Sequence, residues 1–375
     1  MVKLYHVVTV SKSLPLMKGQ IEYLQDKGFN VNVISSPGQE LNNYGIDIAT
    51  AIEMKREISI KNDIISLFKL INVYSKNNPD IVNSGTPKAG LLSTVAAFLT
   101  NTKVRVYTVR GLRLETVRGI NYYILYIMEK IAMTLATDVI AISPSLKDRI
   151  IDLKLVPKEK VIVLGEGSSN GLTLELFDLK KRPKDNNLLK QIEDNIILGY
   201  IGRIVKDKGI GDIVKVFKEV SKKYNNVKLL IIGTFEEGDP IDNKDKEYLI
   251  NNPNIILLKH QSDPIPFFNI IDIFLFLTAR EGFGNVSIEA QALETPVITY
   301  NVTGAKDTVI HEKTGYIVPK GSYKDVLDKV VYLIDNPEVR KDMGINSRKW
   351  VFDSFSNELI WQELCLFYNQ KLSNK

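Results

Sequence analysis

The chain has 375 residues, 44% of them hydrophobic and 25% charged, and a formal net charge of +5. That length exceeds what one hydrophobic core usually fills and predicts two domains at roughly 150 residues each, while the composition excludes wholesale disorder. A single cysteine, Cys365, excludes an internal disulfide, the histidines His6, His260 and His311 stand too far apart for metal-ligand spacing, and no stretch approaches the ~18 uncharged apolar residues of a spanning helix.

The charge is unevenly placed. Residues 1–170 hold 21 Lys+Arg against 15 Asp+Glu, and the remainder holds 28 against 29. Such an excess suits an anionic partner of the amino-terminal half, whether phospholipid, diphosphate or nucleic acid; plain solubility is the alternative. The opening "MVKLYHVVTV" reads as a β-type run without the basic and apolar regions of a signal peptide, so a reducing cytoplasm is the expected location.

In chain order, β-branched runs alternate with helical stretches. Strands are predicted at 3–10, 30–36, 80–85, 103–109 and 138–143, with helices at 14–28, 64–79, 89–100, 121–136 and 144–155 between and after them. A polar, lysine-rich stretch, "LKKRPKDNNLLKQIEDN", then reads as a connection, and "NIILGYIGR" restarts the alternation. Strands are predicted at 195–203, 227–233, 254–259, 271–278, 296–300 and 315–318, with helices at 211–224, 245–252 and near 285. Strands alternating with crossover helices imply parallel sheets covered on both faces. The predicted fold class is therefore α/β, two tandem Rossmann-like domains facing across a cleft, with ligands at the carboxyl ends of the strands. The expected boundaries are 1–170, a linker at 171–194, 195–354, and a carboxyl-terminal segment at 355–375.

Three loops of the second half converge on its strand-end face. "GRIVKDKG" carries Arg203 and Lys208, a planar donor fork and a mobile point charge that together suit a diphosphate; a solvated basic turn is the alternative. "EGFGNVSIEA" starts a helix near Asn285, where unpaired amides from Gly282 to Val286 attract an anion and the glycines permit close approach. Glu281 would lie before that helix and Glu289 about one turn in, each able to accept from the two hydroxyls of a diol, or else each simply balancing the helix dipole. "NVTGAKDTVIHEKTG" would bring Thr303 and Gly304 over the same face, as contacts or as a plain turn.

These three segments, in this order and spacing, resemble the nucleotide-binding domain of the retaining glycosyltransferases of family 4, which have the GT-B architecture. Glu281 and Glu289 match that family's E-x7-E signature, and "SGTPKAG" and "VIVLGEGSSNG" extend a weaker likeness into the amino half. Within the family, the sequence is most like bacterial enzymes of capsule and O-antigen assembly that extend an undecaprenyl-diphosphate-linked sugar. The resemblance implies that Arg203 and Lys208 bind the donor diphosphate and stabilise the leaving group, that Glu281 contacts the transferred sugar, and that Glu289 holds the ribose diol. It also implies donor contacts from Gly202, Phe283, Gly284, Asn285, Val286, Thr303 and Gly304, with Gly282 between them. A UDP-sugar is the expected donor and a lipid-linked saccharide the expected acceptor. No metal or other cofactor is expected, since fixed cations and a helix terminus can meet the leaving-group charge.

Two departures stand out. Where many relatives have a histidine after the strand "VRVYTV", this chain has Arg110, either a contact to a donor or acceptor diphosphate or an ordinary surface arginine. Where relatives often have paired glycines in the first loop, it has Lys12 and Ser13; with Lys88 of "SGTPKAG" these are the candidate acceptor or diphosphate residues. Arg105, Arg110, Arg113 and Arg118 beside Tyr122, Tyr123 and Tyr126 fit a surface resting on anionic lipid headgroups, although Ile124, Leu125, Ile127 and Met128 read equally as core-facing. The amphipathic end, with Ile360, Trp361, Leu364, Leu366 and Phe367, is placed to cross back onto the first domain, as the last helix does in the family.

The resulting expectation is a retaining glycosyltransferase peripheral on the inner face of the membrane. A soluble enzyme of this fold with a non-lipid acceptor, and an inactive nucleotide-sugar-binding protein, stand as alternatives. Nucleic acid is not an expected partner, because no recognition motif is present.

Overall fold

The computed structural model describes residues 1–373, so the last two residues of the expected segment 355–375 lie outside the described residues. The described chain divides into two compact units, residues 1–171 with 357–373, and residues 172–356.

The first unit is built on a seven-stranded parallel sheet of order β3-β2-β1-β4-β5-β6-β7. The strands are β1 Val2–Val7, β2 Phe29–Ser35, β3 Ala49–Ala51, β4 Ile81–Ser84, β5 Val104–Val109, β6 Asp138–Ala141 and β7 Val161–Ile162. Successive strand residues point to opposite faces, and here both faces are covered. Leu4, Val31, Val33 and Val106 pack on one side with Leu364, Phe367 and Tyr368. Tyr5, Val7, Ile34 and Val82 pack on the other with Leu70, Tyr74 and Ala96. The helix Asn357–Ser373 thus completes the core of a sheet whose strands all lie within the first 162 residues.

The second unit holds a six-stranded parallel sheet of order β10-β9-β8-β11-β12-β13. Its strands are β8 Ile196–Ile201, β9 Val227–Ile232, β10 Ile255–Leu258, β11 Ile273–Phe276, β12 Val297–Tyr300 and β13 Gly315–Val318. The winding reverses between β8 and β11, and in such sheets that reversal opens a crevice beyond the carboxyl ends of the strands. The first sheet reverses in the same way between β1 and β4.

Several elements differ from the periodicity reading. The helix expected over 14–28 is split into a 3-10 turn, Ser11–Met17, and a short helix, Gln20–Asp26. Pro15 removes an amide donor from the turn, and Gly19 between the two segments has φ +79°, which interrupts a right-handed helix. The stretch expected as a connection carries the helix Asn186–Ile192, begun by Asp185 accepting from the amides of Asn187 and Leu188, and it belongs to the second unit from Leu172 onward. Strand β3 and the helices Tyr323–Asp335 and Pro337–Ser354 are additional. Leu172 donates to the Phe355 carbonyl at 2.8 Å, so the chain enters and leaves the second unit side by side.

Candidate active site

The second unit gathers four loops at the carboxyl ends of β8, β9, β11 and β12. The first is Gly202–Lys208, leaving β8. Tyr200 fixes its start by donating its hydroxyl to the Arg203 carbonyl at 2.6 Å, and burial pushes that phenol well above its ordinary value. Asp207 braces the loop on both sides: its amide donates to Asp239 at 2.7 Å, and its carbonyl accepts from the Ala279 amide at 2.7 Å. These bonds join the loops after β8 and β11, and Lys208 forms an ion pair with Glu281 across the join.

That pair is largely buried, with side-chain exposures of 15% for Lys208 and 26% for Glu281. Arg203 instead reaches outward to Glu236 at 2.9 Å, with 56% of its side chain exposed. Exposed pairs of this kind contribute little to stability, about 0–1 kcal/mol, so Arg203 can exchange Glu236 for an incoming anion at small cost.

The second loop turns into the helix Asn285–Ala292. Gly284 caps it at φ +105°, in the left-handed region, and a Cβ there would lie 2.6 Å from the Phe276 ring. Only glycine fits both constraints, which is why the chain can turn tightly onto the helix start. Phe283 is buried against Phe355, ring centroids 5.2 Å apart, so its side chain anchors the loop and leaves only its backbone for a ligand. The third loop supports the second from behind. The Glu281 amide donates to the Thr303 carbonyl at 3.0 Å, and Gly304, φ +76°, lies so close that a Cβ would sit 2.5 Å from the Glu281 carbonyl oxygen.

The cavity between these loops measures about 440 Å3. Gly202, Arg203, Lys208, Glu281 and Val286 line it, together with Glu236. Glu289, Asn285, Thr303 and Gly304 are not on its lining. Glu289 sits one turn into the helix, partly buried, and desolvation raises its carboxyl to about 7. Glu281 and Glu289 therefore differ in kind: one is paired with an ammonium, the other is biased toward its neutral form by desolvation.

The loop after β9, with Gly233, Thr234 and Glu236, and His260 with Gln261 beyond β10, also line the cavity, and the motif reading passed over them. The signal existed. Every loop at the carboxyl end of a parallel sheet near its reversal is a candidate by position, and "GTFEE" follows strand β9 directly.

In the first unit, Arg110 leaves the end of β5 and is not an ordinary surface side chain. Its Nε donates to Ser169 Oγ at 2.7 Å and its Nη1 to the Gly85 carbonyl at 2.6 Å. Burial holds the guanidinium down to about 10. His6 is buried beside it and beside Tyr368, and desolvation followed by the Arg110 charge lowers the imidazole to about 3. Lys88 is already committed: it is 6% exposed, pairs with Asp63 at 2.6 Å and donates to the Glu57 carbonyl. A buried ammonium with those partners ties the loop at 57 to the helix start and is not free for a ligand, which corrects its place among the acceptor candidates. Lys12 is exposed and Ser13 half-buried on the 3-10 turn after β1. Among the described residues no group of three or more His, Cys, Asp or Glu side chains is arranged to hold a metal ion.

A doubly wound sheet pair with a cation-lined strand-end cavity defines the GT-B class of glycosyltransferase, and comparison with known proteins agrees. Residues 181–350 match the family described as glycosyl transferases group 1, and residues 6–143 match glycosyl transferase 4-like proteins. The capsular polysaccharide biosynthesis glycosyltransferase CapM of Staphylococcus aureus is 53% identical over 98% of this chain and 97% of its own. An Escherichia coli UDP-Gal:alpha-D-GlcNAc-diphosphoundecaprenol alpha-1,3-galactosyltransferase is 24% identical over 95% of this chain and 93% of its own. The crystal structure of Anabaena HepE in complex with UDP superposes with a TM-score of 0.78 at 17% identity, covering 99% of this chain and 100% of that one, a likeness of fold. The chain belongs to the family-4 GT-B glycosyltransferases.

Proposed function

We propose that the protein transfers a sugar, an N-acetylated hexosamine or a deoxy relative, from a UDP-sugar to a lipid-diphosphate-linked acceptor in capsular or O-antigen polysaccharide synthesis, with retention at the anomeric carbon. The observation that carries this reading is the buried Lys208–Glu281 pair beside Arg203 at the rim of the strand-end cavity. Lys208 and Arg203 would take the two phosphates, whose charge grows as the bond to the sugar breaks, and a preorganised cation stabilises that growth most in a partly dehydrated site. No metal is then required for the leaving group. Glu281, its position fixed by Lys208, would accept from hydroxyls of the transferred sugar, and Glu289 from the ribose diol. Retention follows if the acceptor hydroxyl attacks on the face the diphosphate leaves, with a diphosphate oxygen taking its proton.

Support for the acceptor comes from the relatives, one named for capsular polysaccharide biosynthesis and one for a diphosphoundecaprenol acceptor; a lipid-linked acceptor of that kind would be met at the inner membrane surface. Among the described residues no helix is long and apolar enough to cross a membrane, so attachment would be peripheral. The test is a screen of UDP-, GDP- and TDP-sugars for thermal stabilisation of the protein and for transfer to a polyprenyl-diphosphate sugar. A UDP-sugar should raise the melting temperature and be consumed; Glu281→Gln should keep the stabilisation and lose transfer. Stabilisation by UDP with no transfer in the wild type would mark a binding protein instead.

A further inference from the structure

Arg110 is the first residue after β5, at the carboxyl ends of the strands of the first unit, and the loops that follow β4 and β7 close on it. Gly85 makes the approach possible, since a Cβ there would sit 1.8 Å from Arg110 Nη1. Ser169 is aimed by its neighbours. Ser168 is 5% exposed and held in the left-handed region at φ +82°, with its amide donating to the Ile142 carbonyl at 2.8 Å. Asn170 accepts from Trp361 Nε1 at 2.7 Å and donates to the Lys18 carbonyl at 2.9 Å. A left-handed backbone at a residue other than glycine is unfavourable, and such strain clusters where a ligand is held.

The charge of Arg110 is handled unlike that of other buried cations. Lys88, Lys208 and Arg340 are also largely buried, and each faces a carboxylate. Arg110 is braced by a hydroxyl and a carbonyl, both neutral, and among the described residues no carboxylate pairs with it. Burial pulls its guanidinium below the ordinary value, and the groups near enough to oppose this are the phenols of Tyr368 and Tyr107. The two bonds use Nε and Nη1, which leaves Nη2 for a ligand on a side chain that is only partly buried. Beside it lies His6, 2% exposed, whose Nε2 has no hydrogen-bond partner among the described residues. His6 stands in register with Asn83, which bonds Thr108 and Tyr368, so the carboxyl end of this sheet face is polar where the rest is apolar. Charged donors in a partly dehydrated site are costly alone and strong toward an anion.

We propose that Arg110, with His6 Nε2 beside it, is an anion subsite for the acceptor: it takes one phosphoryl oxygen next to the acceptor sugar and makes that charge a condition of recognition. The inference rests on the acceptor chemistry proposed above and assigns its charge to a residue. Free phosphate offers the same oxygen, and a donor phosphate would as well, so the test separates the three.

The test is steady-state transfer, by the full chain and from its UDP-sugar, to one sugar carried on decyl diphosphate, on decyl phosphate and as the neutral decyl glycoside. The wild type should prefer the phosphorylated acceptors by about tenfold or more in kcat/KM. Arg110→Gln should raise the acceptor KM about tenfold or more on those two compounds and collapse the preference, with the donor KM moved less than about twofold. Arg110→Lys should keep part of the preference. Ser169→Ala, which removes a brace and keeps the charge, should raise the same acceptor KM by a few-fold, and it carries the test if Arg110→Gln does not fold. A brace with a structural role alone would lower activity on all three acceptors alike, and that result would overturn the proposal. So would a rise in donor KM instead of acceptor KM, which would assign Arg110 to the donor. Inhibition by inorganic phosphate that is lost in Arg110→Gln, with acceptor preference unchanged, would mark a free-phosphate site and overturn the acceptor assignment. A wild type that uses the three acceptors equally would sink this subsite and leave the transferase reading standing; one that uses none of them would overturn both.

Discussion

Lys208 and Glu281 are joined across two loops, and each explains the other's burial: neither charge would sit in a largely dehydrated cavity without the opposite one. Lys208→Ala should therefore cost in two ways, removing a cation from the diphosphate and releasing Glu281. A loss of about 10²–10³-fold in kcat, with a smaller change in KM, is the expected result in a steady-state transfer assay. Glu236 plays the opposite part. It occupies Arg203 when no donor is bound, so Glu236→Gln should tighten UDP binding by about two- to five-fold in titration calorimetry, the worth of an exposed pair. Glu289 sets a pH dependence. Its folded value, about 7, lies above the ordinary 4.5, so the native state holds the extra proton across that window and stability falls as pH rises through it, then levels above 7. Glu129, raised likewise to about 7 by burial, contributes with the same sign. The difference between wild type and Glu289→Gln in urea denaturation from pH 5 to 8 should isolate the Glu289 part as a shallower slope in the variant.

At the scale of elements, the site depends on loops that hold one another more than on any single helix. The turn before Asn285–Ala292 is set by Gly284, and the loop after β12 is pressed onto it through Gly304. Gly304→Ala combines a positive φ with a methyl 2.5 Å from the Glu281 carbonyl oxygen, so the backbone must move. A cost of about 1–3 kcal/mol is expected, read as a lower melting temperature, together with weaker UDP binding because Glu281 moves with the loop. The same spacing that exposes Glu281 at the cavity buries Phe283 against Phe355, which anchors the loop to the end of the second unit. The helix reading of 14–28 failed for a comparable reason: apolar period alone is blind to a left-handed glycine, and Gly19 is pressed against Trp361, 342 residues further along.

At the scale of the whole molecule, the last helix belongs to the unit formed by the first part of the chain. Tyr368 accepts a hydrogen bond from Asn83 at 2.7 Å, and Asn83 in turn accepts from Thr108 at 2.8 Å, so the helix closes a buried polar network on the first sheet. Tyr368→Phe should cost about 1 kcal/mol by leaving the Asn83 amide unpaired. Removing residues 357–375 should destabilise far more, since Leu364, Phe367 and Tyr368 would no longer cover Leu4 and Val31. In native-state hydrogen exchange, protection should collapse in β1, β2 and β4 while β8, β9 and β11 keep theirs, because the second unit holds a core of its own.

Much of this was legible in the chain itself. Alternating β-branched and amphipathic runs are local patterns, so the two parallel sheets and the loops bearing Arg203, Lys208, Glu281 and Gly284 could be placed from sequence. Long-range packing was not legible, because it depends on partners far apart in the chain. Lys88 reads as a loop cation until Asp63 is found beside it. Arg110 reads as either a diphosphate contact or a surface residue until Gly85 and Ser169 close on it. The isoleucines of the 120–135 helix fit a core as well as a contact surface, since periodicity fixes which residues share a face but not which face the sheet covers. The sequence by itself determined the elements and the chemistry at their ends; the tertiary structure alone decided which charges are spent inside the fold and which remain outward, because pairing and burial are properties of neighbours in space.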